Sequence, residues 1–243
     1  MSLPVFIAPV TGARVGQTVS VTGDEARHAV VVRRLREGER VVLVDGEGTA
    51  VLGTVRTTSK SALEVDVEEV SHEDRSTPFV TVVQAIPKGD RGDLAVEVLT
   101  EVGVDRIVPW SAERSVGVWR GERATKALAK WRSTAREAGK QSRRAWLPEV
   151  TEQMSTTEVA TLLREAHLAV VLHEAATEPL AELLLDGVES LVVVVGPEGG
   201  ISDGELAAFG DAHVVRMGET VLRTSTAGLA AVAALLSRTS RWG

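Results

Sequence analysis

Leu191 is followed by four consecutive valines, and Gly196-Pro197-Glu198-Gly199-Gly200 ends the run. A strand without inward and outward alternation must be covered on both faces, so this run predicts a parallel sheet sandwiched between helices. Ser202 with Glu205 three residues later is a capping-box pattern and predicts a helix starting just past Gly200. A glycine-opened loop therefore stands at the C-terminal end of a strand, where open α/β sheets hold ligands. The segment Met217–Leu229 has the same design, with a turn at Gly218 running into a helix of small residues. Two such loops so close in sequence predict one shared pocket.

The rest of residues 74–243 supports this reading, because strand and helix patterns alternate. Strands are expected at Phe79–Ile86, Arg106–Trp110, Leu168–Leu172 and His213–Met217. Helices are expected at Asp90–Val102, Glu122–Ser142, Leu180–Leu185, Asp203–Phe209 and Thr224–Ser237. Residues 1–73 read differently, as short alternating strands broken by Gly and Asp, which predicts a small β-barrel. Asp24 stands where it would cap a helix reaching Leu35, with Ala26, Val30 and Val31 turned inward. Ser71–Pro78 is polar and ends in proline, which makes it the linker candidate.

The chemistry expected of the pocket is limited by what the loops lack. GPEGG has no GK[ST] and does not fit GxGxxG, Pro197 removes a donor, and Glu198 would repel a phosphate. The loop suits a neutral or cationic ligand. Arg223, beside an almost wholly apolar helix, needs a partner: Glu198, a phosphate or a base. The five histidines show no metal-ligand spacing and there is no cysteine, so no metal site, disulfide or thiol nucleophile is expected. No run is long enough to span a membrane and no signal peptide is evident, which fits a cytoplasmic protein.

Charge is unevenly spread. The chain carries −7, yet Arg114 to Arg144 holds ten basic residues and two acids. One cationic face on an acidic body fits a polyanion, the alternative being a solvated helix face offset by acids elsewhere in the fold. Arg33, Arg34 and Arg36 form a second basic cluster.

These residues, taken together, resemble the RsmE family of the SPOUT superfamily, bacterial enzymes that methylate N3 of a uridine in 16S ribosomal RNA with S-adenosylmethionine. The resemblance rests on His28 with Arg33-Arg34-Leu35 and Gly38, on Pro87-Lys88-Gly89-Asp90-Arg91, and on Thr100 through Pro109. It continues through Glu113-Arg114-Ser115-Val116, Trp131, Glu137-Ala138, Gln141-Ser142 and Arg144 to Pro148. It ends with Leu172-His173-Glu174, Gly196 to Ile201, Leu222-Arg223-Thr224 and Thr226-Ala227. It implies a PUA-like β-barrel at residues 1–73, an α/β methyltransferase domain with a trefoil knot and a mainly parallel sheet at 74–243, and a homodimer. The cofactor would lie among Leu172, His173, Glu174, Gly196, Pro197, Glu198, Gly199, Gly200, Ile201, Met217, Gly218, Val221, Leu222, Arg223, Thr224, Thr226 and Ala227. Arg223, Arg114 and Glu198 are the catalytic candidates. Arg33, Arg34, Arg36, Lys88, Arg91, Arg114, Arg136, Lys140, Arg143 and Arg144 are the candidates for holding 16S rRNA or the small ribosomal subunit. Ser225 stands where members often carry an acid. Two rival readings are a non-enzymatic rRNA-binding assembly factor and a SPOUT methyltransferase for another RNA atom.

Overall fold

In the computed structural model, which describes residues 3–243, the chain forms two units that are not two contiguous stretches. One runs to Arg75 and takes back Gly139–Leu147, and the other holds Ser76–Ala138 and Pro148–Gly243.

The first unit is a five-stranded sheet ordered β1-β3-β4-β5-β2. Its strands are β1 (Val5–Ile7), β2 (Thr18–Thr22), β3 (Arg40–Val44), β4 (Thr49–Thr58) and β5 (Ala62–His72). Only β1 and β3 run parallel; the other pairs are antiparallel. Alternation sets the core, since Leu63, Val65 and Val67 of β5 are buried while the residues between them reach solvent. Two register shifts in β4 mark bulges that bend the ribbon.

Three expectations are corrected in this unit. Helix α1 (Gly23–Arg27) starts after Thr22, so Asp24 lies inside its first turn and does not cap it. The chain then winds as a π-turn over His28–Val32, with the Arg33 amide bonded to the His28 carbonyl, and this wider turn carries Ala29 inward. Val31 is consequently exposed. Strand β5 extends to His72, so the expected linker loses its first two residues to the sheet.

The returning segment fits closely into this unit. Trp146 Nε1 donates to the Glu73 carbonyl at 2.7 Å, and the Arg75 guanidinium lies 4.0 Å over its ring. An added Cβ on Gly48 would come within 2.8 Å of two indole carbons, so only glycine fits there. Lys140 is buried against Glu25, with 3.1 Å between Nζ and Oε1.

The second unit is a seven-stranded parallel sheet ordered β10-β12-β9-β11-β6-β7-β8. These strands are β6 (Phe79–Ala85), β7 (Arg106–Trp110), β8 (Glu149–Val150), β9 (Leu168–Leu172), β10 (Glu178–Pro179), β11 (Ser190–Val195) and β12 (His213–Arg216). Helices α2 (Arg91–Glu101), α3 (Glu122–Gln141) and α6 (Thr224–Leu236) pack into one core, and α4 (Thr156–Glu165) and α5 (Asp203–Ala208) into another. In β11, Leu191, Val193 and Val195 enter the first core and Val192 and Val194 the second. That two-sided cover explains the uninterrupted valines.

Helix α6 is core, with Val232, Leu235 and Leu236 fully buried, each contributing about 1.5–3 kcal/mol. The helix expected at Leu180–Leu185 shrinks to one 3-10 turn, Leu180–Glu182, after the short strand β10. Helix α4 was not expected, although Ser155 and Glu158 form its capping box. No helix among the described residues is long and apolar enough to cross a membrane.

Candidate functional site

Insertion of β11 between β9 and β6 brings the C-terminal ends of β9, β11 and β12 to one edge of the sheet. Each strand ends in a loop, and the three loops enclose one cavity of about 350 Å³, within the range of small-molecule sites. Leu172, His173 and Glu174 line it from β9, and Gly196, Pro197, Glu198, Gly200 and Ile201 from β11. Met217, Gly218, Val221, Leu222, Arg223, Thr224 and Ala227 come from the third loop and the start of α6.

The glycines act by fit. A Cβ on Gly196 would stand 2.7 Å from Ile201 Cγ1, and one on Gly199 would stand 2.9 Å from both Cβ and the carbonyl oxygen of Arg114. Gly200 and Gly218 hold φ of +76° and +97°, which L side chains resist. The Gly200 amide closes a turn on the Pro197 carbonyl at 2.9 Å, and Ser202 and Glu205 form the expected capping box.

Two expected cofactor contacts are not in the cavity wall. Gly199 packs against Arg114 instead, and the Thr226 hydroxyl turns back onto the Arg223 carbonyl at 3.3 Å. The loop hydroxyls do not cap α6. Arg223 is its N-cap, and its carbonyl accepts the amides of Thr226 and Ala227 at 2.9 Å. The Arg223 side chain is exposed at the cavity wall, so it needs no buried partner. Glu198 is engaged elsewhere: it accepts the Lys88 amide at 3.3 Å and lies 3.5 Å from Arg91 Nη1. Arg91, expected at RNA, thus forms part of the cavity wall.

Sequence reasoning did not name Val195, Val215, Arg216, Glu219 and Thr220 in the wall. Each adjoins or lies within a segment it had singled out, so strand-end position was the available signal. Glu205 was seen only as a cap. Buried, it also accepts the Glu113 amide at 2.8 Å and the Thr156 hydroxyl at 3.2 Å, which fixes the loop that carries Arg114.

The wall mixes apolar surface (Leu172, Ile201, Met217, Leu222, Ala227) with three acids (Glu174, Glu198, Glu219) and three arginines (Arg91, Arg216, Arg223). Such a lining can take a ligand that combines an apolar group with both charges. Fully buried Gln84 donates its Nε2 to the Thr224 carbonyl at 3.3 Å and so ties the start of α6 to β6.

Not all of the basic stretch faces solvent. Lys140 is buried in its pair with Glu25, which withdraws it from the RNA candidates, because a charge so enclosed cannot reach a phosphate. Arg144 is half-buried, with Nε bonded to the Trp146 carbonyl at 2.8 Å. Arg33, Arg34, Arg36, Lys88, Arg114, Arg136 and Arg143 are exposed.

Comparison with known proteins agrees with this geometry. The model for an RNA methyltransferase domain matches residues 75–236, and that for an RNA methyltransferase PUA domain matches residues 21–68. The chain is 44% identical over 233 residues to the ribosomal RNA small subunit methyltransferase E of Mycobacterium tuberculosis, covering 93% of this chain and 89% of the relative. It is 30% identical to the Bacillus subtilis protein of the same name, covering 91% of each. Among solved structures it is similar to the Neisseria gonorrhoeae ribosomal RNA small subunit methyltransferase E bound to S-adenosyl methionine, at TM-score 0.88 and 30% identity, covering 97% of this chain and 98% of that one.

Proposed function

We propose a function on one premise: this chain belongs to the RsmE family of ribosomal RNA methyltransferases. It uses S-adenosylmethionine to methylate 16S ribosomal RNA of the small subunit, and the acceptor is N3 of a uridine. The convergence of three strand-end loops on one cavity carries the reading. The mixed wall fits the cofactor, with apolar residues for the adenine, arginines for the carboxylate, and acids for the amino group and sulfonium.

When bound, S-adenosylmethionine supplies a methyl group already activated as a sulfonium. The protein's residues must then favour a deprotonated uracil imide and align it. Arg223, exposed at the cavity wall, and Arg114, held beside the glycine loop, offer positive charge to the uracil oxygens as N3 loses its proton. With the cofactor bound, its methyl group would pass to N3 while the uracil proton leaves to water, and the residues named here would hold and polarise the base. Glu198 ties the Lys88–Arg91 turn to the glycine loop and so positions the site. Alignment of this kind is worth up to about 7–11 kcal/mol in favourable systems. The exposed basic residues hold the RNA backbone, and the target base leaves its stack to be reached.

We read the crowding of three loops at one sheet edge as the trefoil knot. We also assign the chain a homodimeric state, to be read by sedimentation, and a cytoplasmic location.

The test is nucleoside mass spectrometry of small-subunit RNA after incubation with labelled cofactor, in which label should appear as 3-methyluridine. Label on a ribose or on another base would move the acceptor assignment. Arg223→Ala should slow transfer by about 10²–10³-fold with unchanged circular dichroism, and near-normal turnover would end its assigned role.

A further inference from the structure

Beside the first cavity lies a second, of about 540 Å³, bounded by Lys88, Gly89, Asp90, Arg91, Leu94, Val116 and Glu198. Arg91 and Glu198 line both cavities. We propose that this second cavity is the acceptor subsite, in which a single flipped pyrimidine nucleotide lies against Leu94 and Val116 with its phosphate on Lys88. The proposal rests on the methyltransferase reading above and adds where the RNA nucleotide sits.

Its walls are fixed to one another. An added Cβ on Gly117 would stand 2.6 Å from both Ile86 Cγ2 and the Pro87 carbonyl, so the loop carrying Val116 lies directly on the turn that carries Lys88. Gly199 holds the same loop at Arg114, and the Glu198 carboxylate accepts the Lys88 amide. Turn, loop and glycine segment are therefore interlocked, so the shape of the cavity is built in.

Its chemistry suits a nucleotide. Leu94 is 44% and Val116 56% exposed, and both large apolar side chains face the same cavity. Apolar side chains flanking a pocket are what a flipped base packs between. Asp90 is paired to Lys130 at 3.5 Å. The ammonium of Lys88 has no ion-pair partner among the described residues, which leaves it for a phosphate. Arg91 and Glu198 line both cavities, so the two adjoin there, and a base resting on Leu94 and Val116 turns its N3 edge past that pair toward the donor cavity and Arg223.

Val116→Asp and Lys88→Gln test this in the full-length protein, with small-subunit ribosomal RNA as acceptor. Val116→Asp should lower kcat/KM for RNA at least tenfold while the Kd for S-adenosylmethionine, measured by calorimetry, stays within twofold. Lys88→Gln should reduce the slope of log affinity against log salt by about 0.7–0.9, the loss of one phosphate contact, and Lys88→Arg should restore it. Unchanged RNA kinetics in Val116→Asp would overturn the proposal, as would parallel loss of donor affinity. A shift in sedimentation coefficient would also overturn it, by making this cavity an interface between copies. A parent protein that methylates no RNA would end the preceding reading as well, whereas a methylating parent indifferent to Val116→Asp ends this one alone.

Discussion

Replacing Arg241 with Met removes one guanidinium that joins three parts of the α/β unit. Nη1 lies 2.6 Å from Asp105 Oδ2 and 2.8 Å from the Pro78 carbonyl, and Nη2 lies 3.1 Å from Asp105 Oδ1 and also bonds the Gly103 carbonyl. Asp105 in turn accepts the Val80 amide at 2.8 Å, so the start of β6, the loop before β7 and the C-terminus are joined. The two side chains are only 9% and 6% exposed. Losing one member of a buried pair costs about 3–5 kcal/mol, far more than the 0–1 kcal/mol of an exposed pair. At about 2–4 °C per kcal/mol for a domain of this size, the melting midpoint should fall by about 6–20 °C. Urea unfolding followed by tryptophan fluorescence would give the free energy directly, with an unchanged slope. Asp105→Asn combined with Arg241→Met should be less destabilised than the sum of the single changes, because no charge is then left buried. A single-variant cost below about 1 kcal/mol would refute the reasoning, because it would mean that the pair behaves as though solvated.

Gly199→Ala places a methyl group 2.9 Å from the Arg114 backbone oxygen, so it should displace the Arg114 loop and cut methyl transfer about tenfold or more, while Gly204→Ala, whose Cβ would meet only Ser202 Oγ at 3.9 Å, should not; initial rates decide. Trp146→Ala should cost the barrel unit about 3–5 kcal/mol, read by denaturant unfolding, since it removes a packed indole and its bond to the Glu73 carbonyl. Glu158 is held below the usual carboxylate range by the amide and hydroxyl of Ser155, and Glu68 by the hydroxyl of Thr54. Depressed carboxylates stabilise above their unfolded value near 4.5 and lose that contribution as pH falls through the folded one, so Glu158→Gln should flatten stability against pH only on the acid side.

The strands flanking the cavity were legible because their cause is local. Val192 to Val195 are apolar without alternation, and such a run has few other homes than a doubly covered strand. The glycine loops were legible for the same reason. Pairing order was not: nothing in Leu168–Leu172 says that β11 will insert between it and Phe79–Ala85. Of the three candidate partners for Arg223, Glu198 is taken by the Lys88 amide and Arg91, which lie more than a hundred residues away in the chain. Lys140 looked like an RNA contact because nine other bases surround it in sequence, and only the fold brings Glu25 to it. Helix α4 carried its own signal, Ser155 to Glu158, and went unread because Met154 and Gln153 before it break no periodic pattern.

Gly139–Leu147 belongs to the unit that otherwise ends at Arg75, and this sets an order on synthesis. As the chain leaves the ribosome, Gly48 and the Glu73 carbonyl emerge well before the tryptophan that fills the space between them. At about 5–20 residues per second, the intervening stretch takes about 4–14 s to translate. For that interval the N-terminal sheet is unfinished, so a nascent chain stalled before Ala145 should be open to protease where one released after Leu147 is closed.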